Sequence, residues 1–169
     1  SALTAENYFP SITRFFTYIE AKYNLTIIIA GHPDSKHETI SEHYGNRRVI
    51  YGKIGELIKD SEFVITKGST AICFAVLFSK PIIFYTTEEY EKFTEAKELI
   101  LSNCSYFNKT PINIDNNYNN INYEMELSID QKMYDNYKNL FIKSPGTIDE
   151  ISWIVLKEKL LKLNTDYAT

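Results

Sequence analysis

The sequence predicts an α/β fold, in which a parallel sheet of about five strands is flanked by helices and two further helices close the chain. Two observations predict it. Short apolar runs of strand length alternate with segments in which apolar residues recur at helical spacing. The run Ile27-Ile28-Ile29 is apolar throughout, which is typical of a strand buried on both faces. Elements that alternate in this way form parallel sheets with right-handed crossovers, and 169 residues suffice for one such domain.

Each element has its own signal in the chain. Apolar residues at helical spacing between Pro10 and Tyr23 predict the first helix. Strands are predicted at "LTIIIA", "RRVIYG", "EFVIT", "PIIFY" and "TPINID". Further helices are predicted at residues 53–60, 71–78, 87–101, 130–143 and 148–163, and residues 35–44 form either a short helix or a loop. The segment 71–78 is nearly all apolar, so we expect its helix to be almost wholly buried.

Composition excludes several classes of protein. Acidic residues outnumber basic ones by 22 to 18, which disfavours nucleic acid as a partner because phosphate neutralisation needs clustered cations. Two cysteines without metal-type spacing support neither a zinc site nor a disulfide framework, and they favour a reducing compartment. No apolar run approaches the roughly 20 residues of a membrane span. We therefore expect a cytoplasmic protein, with the Asn-rich segment 113–123 as a surface loop.

Two loops follow predicted strands and carry polar residues suited to ligand binding. Parallel sheets bind ligands beyond the carboxyl ends of their strands, and this rule selects Gly31–Pro33 and Thr66–Thr70. In the second loop, Gly68 would let the backbone approach a phosphate, and Lys67 would supply a positive charge. The hydroxyls of Ser69 and Thr70 would add two donors at the start of a helix. The alternative is that Ser69 only caps the helix and binds nothing.

His32 and Pro33 occupy the first loop. An imidazole at this position can donate to a phosphate oxygen or act as an acid, while the proline fixes the loop. The alternative is a histidine bonded to a backbone carbonyl. Gly52, which ends "RRVIYG", belongs to the same predicted edge. His37 and His43 do not have zinc-protease spacing and suit a solvated surface, so we expect no metal ion and no cofactor.

The segments "IIIAGHP" and "RVIYGKIGELIKDSEFVITKGSTAICFAVLFSKPIIFY" resemble the carboxyl-terminal half of bacterial surface-polysaccharide glycosyltransferases of the GT-B fold. The shared features are His-Pro after one strand, Ser-Thr at the start of a helix, and a following "KPIIF" strand. The resemblance covers about Thr26–Tyr85 closely and the rest only in element order. It implies a Rossmann-like domain that binds a nucleotide-sugar donor, often cytidine-activated, in capsule or lipooligosaccharide synthesis.

The resemblance also implies roles for individual residues. His32 would be the catalytic residue, offsetting charge on the leaving phosphate, and Ser69 and Thr70 would contact that phosphate. Gly68 would allow close backbone approach. A GT-B enzyme has a second, amino-terminal Rossmann-like domain that usually supplies the general base, and this chain is too short for both domains. We therefore expect residues 1–169 to form the carboxyl-terminal half, incomplete as an enzyme without its partner domain.

Partners and alternatives follow from the same resemblance. The partners would be the nucleotide-sugar donor, a saccharide or lipid-linked acceptor and the missing amino-terminal domain, with no nucleic acid. The location would be the cytoplasm or the inner face of the cell membrane. One alternative is a related enzyme, either a glycerophosphotransferase or a sugar-nucleotide epimerase-like protein. Another is a non-catalytic Rossmann-like module that binds a nucleotide or a partner protein.

Overall fold

The computed structural model describes residues 4–32, 40–116, 118–148, 150, 154, 156 and 157. Its elements are, in chain order, α1 (Ala5–Tyr23), β1 (Ile29–Gly31), α2 (Ile40–His43), β2 (Val49–Tyr51), α3 (Ile54–Asp60), β3 (Val64–Thr66), α4 (Ala71–Leu77), β4 (Ile82–Thr86), α5 (Glu88–Glu91), α6 (Thr94–Ser105), β5 (Ile112–Asn113), α7 (Tyr123–Glu126) and α8 (Gln131–Tyr137). A 3-10 turn (Tyr118–Asn120) precedes α7, and a π-helical turn (Lys138–Ile142) follows α8.

Every strand pair in the described residues is parallel, which confirms the predicted α/β class. β1 pairs with β2, and β4 lies between β3 and β5. The five strands nevertheless form a two-stranded and a three-stranded sheet, where one sheet of about five strands was predicted. The predicted first strand is also shorter than expected. The Ile27 N–H donates to the Glu20 carboxylate at 2.9 Å, so this part of the apolar run does not enter a ladder.

Alternation along β4 divides the core into two layers. Ile83 and Tyr85 face α1, whose apolar stripe is buried against them, whereas Ile82 and Phe84 face the opposite side. That opposite layer contains buried residues of α3, α4, α6 and α8. Ile29 of β1 and Ile65 of β3 both pack in the α1 layer, so the two sheets share one core on this side. Helices therefore cover both faces of β4, and the carboxyl ends of the strands are left for the loops.

Several helices differ from the sequence prediction. In α4, Ala71, Ile72, Ala75 and Val76 are buried, but Leu77 and the following Phe78 are exposed, so this helix is less buried than predicted. The single helix predicted at residues 87–101 is interrupted between α5 and α6. Its interruption coincides with the extended backbone of residue 93, whose φ of −96° and ψ of 108° cannot continue a helix.

The remaining segments have the following outcomes. In the Asn-rich segment 113–123 most polar residues lie at the surface, but Ile114 and Tyr123 are buried in the α1 layer. The helix predicted at 130–143 is present as α8 and its π-helical turn. Most of the helix predicted at 148–163 lies outside the described residues. None of the described helices is both long and apolar enough to cross a membrane.

Candidate functional site at the carboxyl ends of the strands

The predicted site residues fall into two groups, each directly after strand ends. β1 ends at Gly31, which lies opposite Tyr51 at the end of β2, so His32 and Gly52 follow neighbouring strands. The second group, residues 67–70, follows the end of β3. Pro33 lies outside the described residues. Each group lies at the carboxyl ends of its own sheet, β1–β2 for the first and β3–β4–β5 for the second, which is where parallel α/β sheets bind ligands.

The first group is shaped by two glycines and a tyrosine. A Cβ atom at Gly31 would lie only 2.3 Å from the Tyr51 ring, so any side chain there would force that ring to move. Gly52 has a φ of +72°, which favours glycine, and its Cβ position faces open space. His32, immediately after Gly31, is exposed. The end of β1 thus consists of the closely packed Gly31 followed by the exposed His32.

In the second group, the backbone is fixed by local hydrogen bonds. Gly68 has a φ of +129°, its N–H donates to Thr66 Oγ1 at 3.1 Å, and a Cβ there would lie 2.4 Å from Asn103 Nδ2. Ser69 Oγ accepts the Ala71 N–H at 3.1 Å, but the N-cap of α4 is Thr70, so Ser69 lies one position before the capping position considered in the alternative.

Donors remain at this turn despite those bonds. The Thr70 side chain makes no capping bond, although Thr70 is the N-cap of α4. Ser69 and Thr70 are both exposed. Their backbone N–H groups donate to no other residue in the described part of the chain. The turn therefore offers two N–H donors and the Thr70 hydroxyl to a ligand, with the Ser69 hydroxyl already occupied as an acceptor.

Lys67 is the most unusual side chain of the group. Its Nζ atom lies 4.4 Å from the ring centroid of Tyr8, 5.2 Å from that of Tyr90 and 5.8 Å from that of Tyr85. We call these three rings the tyrosine cage. No carboxylate among the described residues lies within ion-pair distance of Lys67. Burial lowers the pKa of Lys67 to about 8, because the charged amine is partly removed from water.

Two hydroxyls of the tyrosine cage form a pair. The Tyr8 and Tyr85 hydroxyl oxygens lie 2.8 Å apart. Burial raises the pKa of Tyr8, and the neighbouring Tyr85 raises it further. Burial also raises the pKa of Tyr85, although its hydrogen bond with Tyr8 acts in the other direction. Both phenols therefore stay protonated at neutral pH, and one of the two hydroxyl hydrogens lies in the bond between them.

A separate cavity of about 380 Å³ lies near the ends of β4 and β5. Its charged lining comprises Glu6, Arg14, Glu88, Glu89, Lys92 and Asp115. Some carboxylates are already engaged, since Asp115 accepts the Glu88 N–H at 2.8 Å and Glu89 accepts the Thr4 N–H at 2.8 Å. Four carboxylates against two cations make this cavity unsuited to phosphate. None of the predicted site residues lines it.

The described residues contain no cluster of three or more His, Cys, Asp or Glu that could hold a metal ion. The residues that sequence reasoning missed are Tyr8, Tyr85 and Tyr90. They come from α1, β4 and α5, and no spacing in the sequence connects them with Lys67.

The resemblance to GT-B glycosyltransferases is carried by the His-Pro and Ser-Thr motifs and the strand order around them. No protein-family model, no curated protein and no solved structure matches the chain.

Proposed function

We propose that the chain is the nucleotide-sugar donor-binding domain of a bacterial glycosyltransferase of the GT-B type, with a Rossmann-like sheet. The observation that carries the proposal is the position of the two motifs. His32 and the turn at residues 67–70 directly follow parallel strands whose carboxyl ends form the ligand-binding edge of such folds. The donor is a cytidine-activated sugar used to build a surface polysaccharide such as capsule or lipooligosaccharide.

Each residue has a role in this proposal. The Ser69 and Thr70 N–H groups and the Thr70 hydroxyl bind the donor phosphate, and Gly68 keeps the turn open to it. Lys67 supplies the positive charge at this turn, because it has no carboxylate partner among the described residues. His32 offsets charge on the departing phosphate, and Gly52 follows the neighbouring strand. Pro33, which lies outside the described residues, belongs to the proposed site by its sequence position alone.

The reaction needs groups beyond these. A glycosyl transfer requires a base that removes the proton of the acceptor hydroxyl, and the resemblance assigns that base to an amino-terminal domain. The partners are accordingly that domain, the donor and a saccharide or lipid-linked acceptor at the inner face of the membrane. We expect the isolated chain to bind the donor nucleotide and to transfer no sugar.

Titration calorimetry with CMP and UDP tests the proposal. Binding of CMP, and weaker binding of UDP, is the expected result. Preferential binding of UDP would favour a sugar-nucleotide epimerase-like protein, and CDP-glycerol binding tighter than CMP would favour a glycerophosphotransferase. Absence of heat with every nucleotide would contradict the proposal and leave a non-catalytic module.

Substitution of the turn locates the binding site. Changing Ser69 and Thr70 to alanine together removes the Thr70 hydroxyl contact to a charged ligand, worth roughly 1.5–3 kcal/mol, so CMP should bind at least about tenfold more weakly. His32→Ala should weaken binding further. Ser128→Ala is the matched control, because it removes an exposed hydroxyl on the segment that follows α7. Equal affinities of the double variant and the control would place the nucleotide elsewhere.

A further inference from the structure

The π-helical turn after α8 carries an exposed aromatic ring, that of Phe141. Its side chain is 51% exposed, and its ring centroid lies 4.9 Å from that of Tyr106 and 4.8 Å from that of Tyr137. We call these three residues the aromatic cluster. Tyr106 is half-buried and Tyr137 is buried, so the packing that fixes the Phe141 ring leaves part of that ring open to solvent.

Contacts along α4 connect the aromatic cluster with the turn at residues 67–70. The Tyr137 hydroxyl oxygen lies 4.0 Å from Cys73 Sγ, and the Cys73 N–H donates to the Thr70 carbonyl at 3.1 Å. Beyond the other end of α4, the Tyr134 hydroxyl donates to the Lys80 carbonyl at 2.8 Å. α8 therefore runs antiparallel to α4, and the π-helical turn that continues it lies against the amino-terminal half of α4.

A second path between the turn and the aromatic cluster leads through α6. The side-chain amide of Asn103 packs against Gly68, where it occupies the position that a Cβ atom would take. Tyr106 follows Asn103 by three residues and is the C-cap of α6, so both lie on the same face of that helix. The Tyr106 ring in turn contacts that of Phe141. Two separate elements thus place the aromatic cluster on the side of α4 that begins at the turn.

We propose that the exposed ring of Phe141 stacks against the base of a nucleotide whose phosphate binds at residues 67–70. This inference rests on the proposed function and names the part of the domain that holds the base. A nucleotide carries a charged phosphate and a flat aromatic base on one ribose. The N–H groups of Ser69 and Thr70 suit the phosphate, and an open aromatic ring near the same end of α4 suits the base.

Other exposed phenylalanines lack this combination of features. Phe78 follows the carboxyl-terminal end of α4, away from the turn, and Phe93 is the N-cap of α6. Neither ring packs against another aromatic ring among the described residues, whereas that of Phe141 contacts two. Stacking accepts any base, since every base has a π face. The inference therefore concerns the affinity for a nucleotide over a sugar phosphate, and leaves the choice of base to other contacts.

Titration calorimetry of the full chain with CMP and with ribose 5-phosphate tests the inference. Both ligands carry the phosphate, but only CMP carries a base, so CMP should bind about tenfold more tightly. Phe141→Ala should remove this difference by weakening the binding of CMP and leaving that of ribose 5-phosphate unchanged. Phe78→Ala is the matched control, because it truncates an exposed phenylalanine at the opposite end of α4, and it should bind both ligands as the parent does.

Two further variants separate stacking from packing within the aromatic cluster. Phe141→Leu keeps an apolar side chain against Tyr106 and Tyr137 but has no π face, so it should bind CMP as weakly as Phe141→Ala. Phe141→Trp should restore the affinity of the parent. Circular dichroism melts of the variants show whether the fold is retained. Parent-like CMP affinity in Phe141→Leu would overturn the inference.

The outcomes distinguish a failure of this inference from a failure of the proposed function. If the double Ser69 and Thr70 variant weakens CMP binding but Phe141→Leu does not, the proposed function stands and the stacking role is overturned. Equal affinities of the parent for ribose 5-phosphate and CMP would also overturn the stacking role alone, because the base would then add nothing. Absence of binding by either ligand would overturn both proposals.

Discussion

At the scale of single residues, one ion pair joins distant parts of the chain. Arg47 donates to both carboxylate oxygens of Glu20, with Nη2 at 2.6 Å from Oε2 and Nε at 3.2 Å from Oε1, and only 9% of the Arg47 side chain is exposed. Desolvation alone would raise the pKa of Glu20, but the hydrogen bonds from Arg47 and from the Ile27 N–H outweigh it and hold that pKa below its ordinary value. The pair therefore fixes α1 to the segments around β1 and β2.

Glu20→Gln should lower the free energy of unfolding at pH 7 by about 1.5–3 kcal/mol, the usual range for a charged hydrogen bond. Because the folded-state pKa is lowered, this stabilisation is present above the unfolded-state pKa of about 4.3 and is lost as pH falls through the folded-state value. Urea titrations at pH 7 and pH 3 measure both effects. Glu56→Gln, in an exposed pair with Lys53, is the control and should change little. If Glu20→Gln loses as much stability between pH 7 and pH 3 as the parent protein does, the prediction is contradicted.

Lys109 joins β4 to α7 through hydrogen bonds to two backbone carbonyls. Lys109→Met removes the donor from two backbone carbonyls, those of Ile82 and Glu126, and each buried acceptor left unpaired costs about 1–3 kcal/mol. We expect a loss of about 2–6 kcal/mol in urea unfolding. Lys97→Met, on the exposed side of α6, should leave the midpoint nearly unchanged. Equal midpoints for the two variants would show that the carbonyls find other donors.

Residue-level prediction from sequence was effective where a motif is local. The turn at Gly68 could be placed after a strand because glycine, hydroxyls and an apolar run follow one another in the chain. The alternative placed the helix N-cap at Ser69, whereas the N-cap is Thr70 and Ser69 Oγ accepts the Ala71 N–H from one position earlier. The tyrosine cage could not be foreseen, since Tyr8 and Tyr90 reach Lys67 only after α1 and α5 have packed.

At the scale of elements, α1 contributes most of one core layer. Phe15 is fully buried and lies against the rings of Phe16, Tyr85 and Tyr118. Phe15→Ala should lower the free energy of unfolding by about 3–5 kcal/mol, because it removes buried apolar surface and leaves a cavity. Thermal and urea unfolding measure the loss.

Leu99→Ala is the matched control for that helix substitution. Leu99 is 59% exposed on α6, so its truncation should stay within about 0.5 kcal/mol of the parent. If Phe15→Ala and Leu99→Ala lower the free energy of unfolding equally, burial of Phe15 in the α1 layer does not account for its loss.

Element boundaries were harder to predict than element types. The apolar run at Ile27 predicts a strand. However, the Ile27 N–H donates to the carboxylate of Glu20 in α1, so the strand ladder begins only at Ile29. In α4, apolar composition predicts burial without saying which side faces the core, and Leu77 is 46% exposed.

At the scale of the whole molecule, the two sheets differ in burial. All five residues of β4 are buried, whereas those of β1 and β2 are half-buried or exposed. Hydrogen exchange followed by mass spectrometry should therefore show the slowest exchange in the peptide covering Ile82–Thr86 and faster exchange in Val49–Tyr51, through partial opening of the smaller sheet. Equal protection of the two peptides would indicate one cooperative sheet.

The π-helical turn at Lys138–Ile142 bears on how the chain tolerates changes of length. Its Lys143 N–H donates to the Lys138 carbonyl at 2.8 Å, which encloses one residue more than an α-helical bond. Deleting the exposed Asn139 would return this segment to α-helical spacing, whereas deleting Thr17 would rotate the rest of α1 by about 100° and move its apolar stripe off the core. A cooperative unfolding transition should survive only the first deletion. We therefore expect the end of α8 to absorb a one-residue deletion without a change of fold.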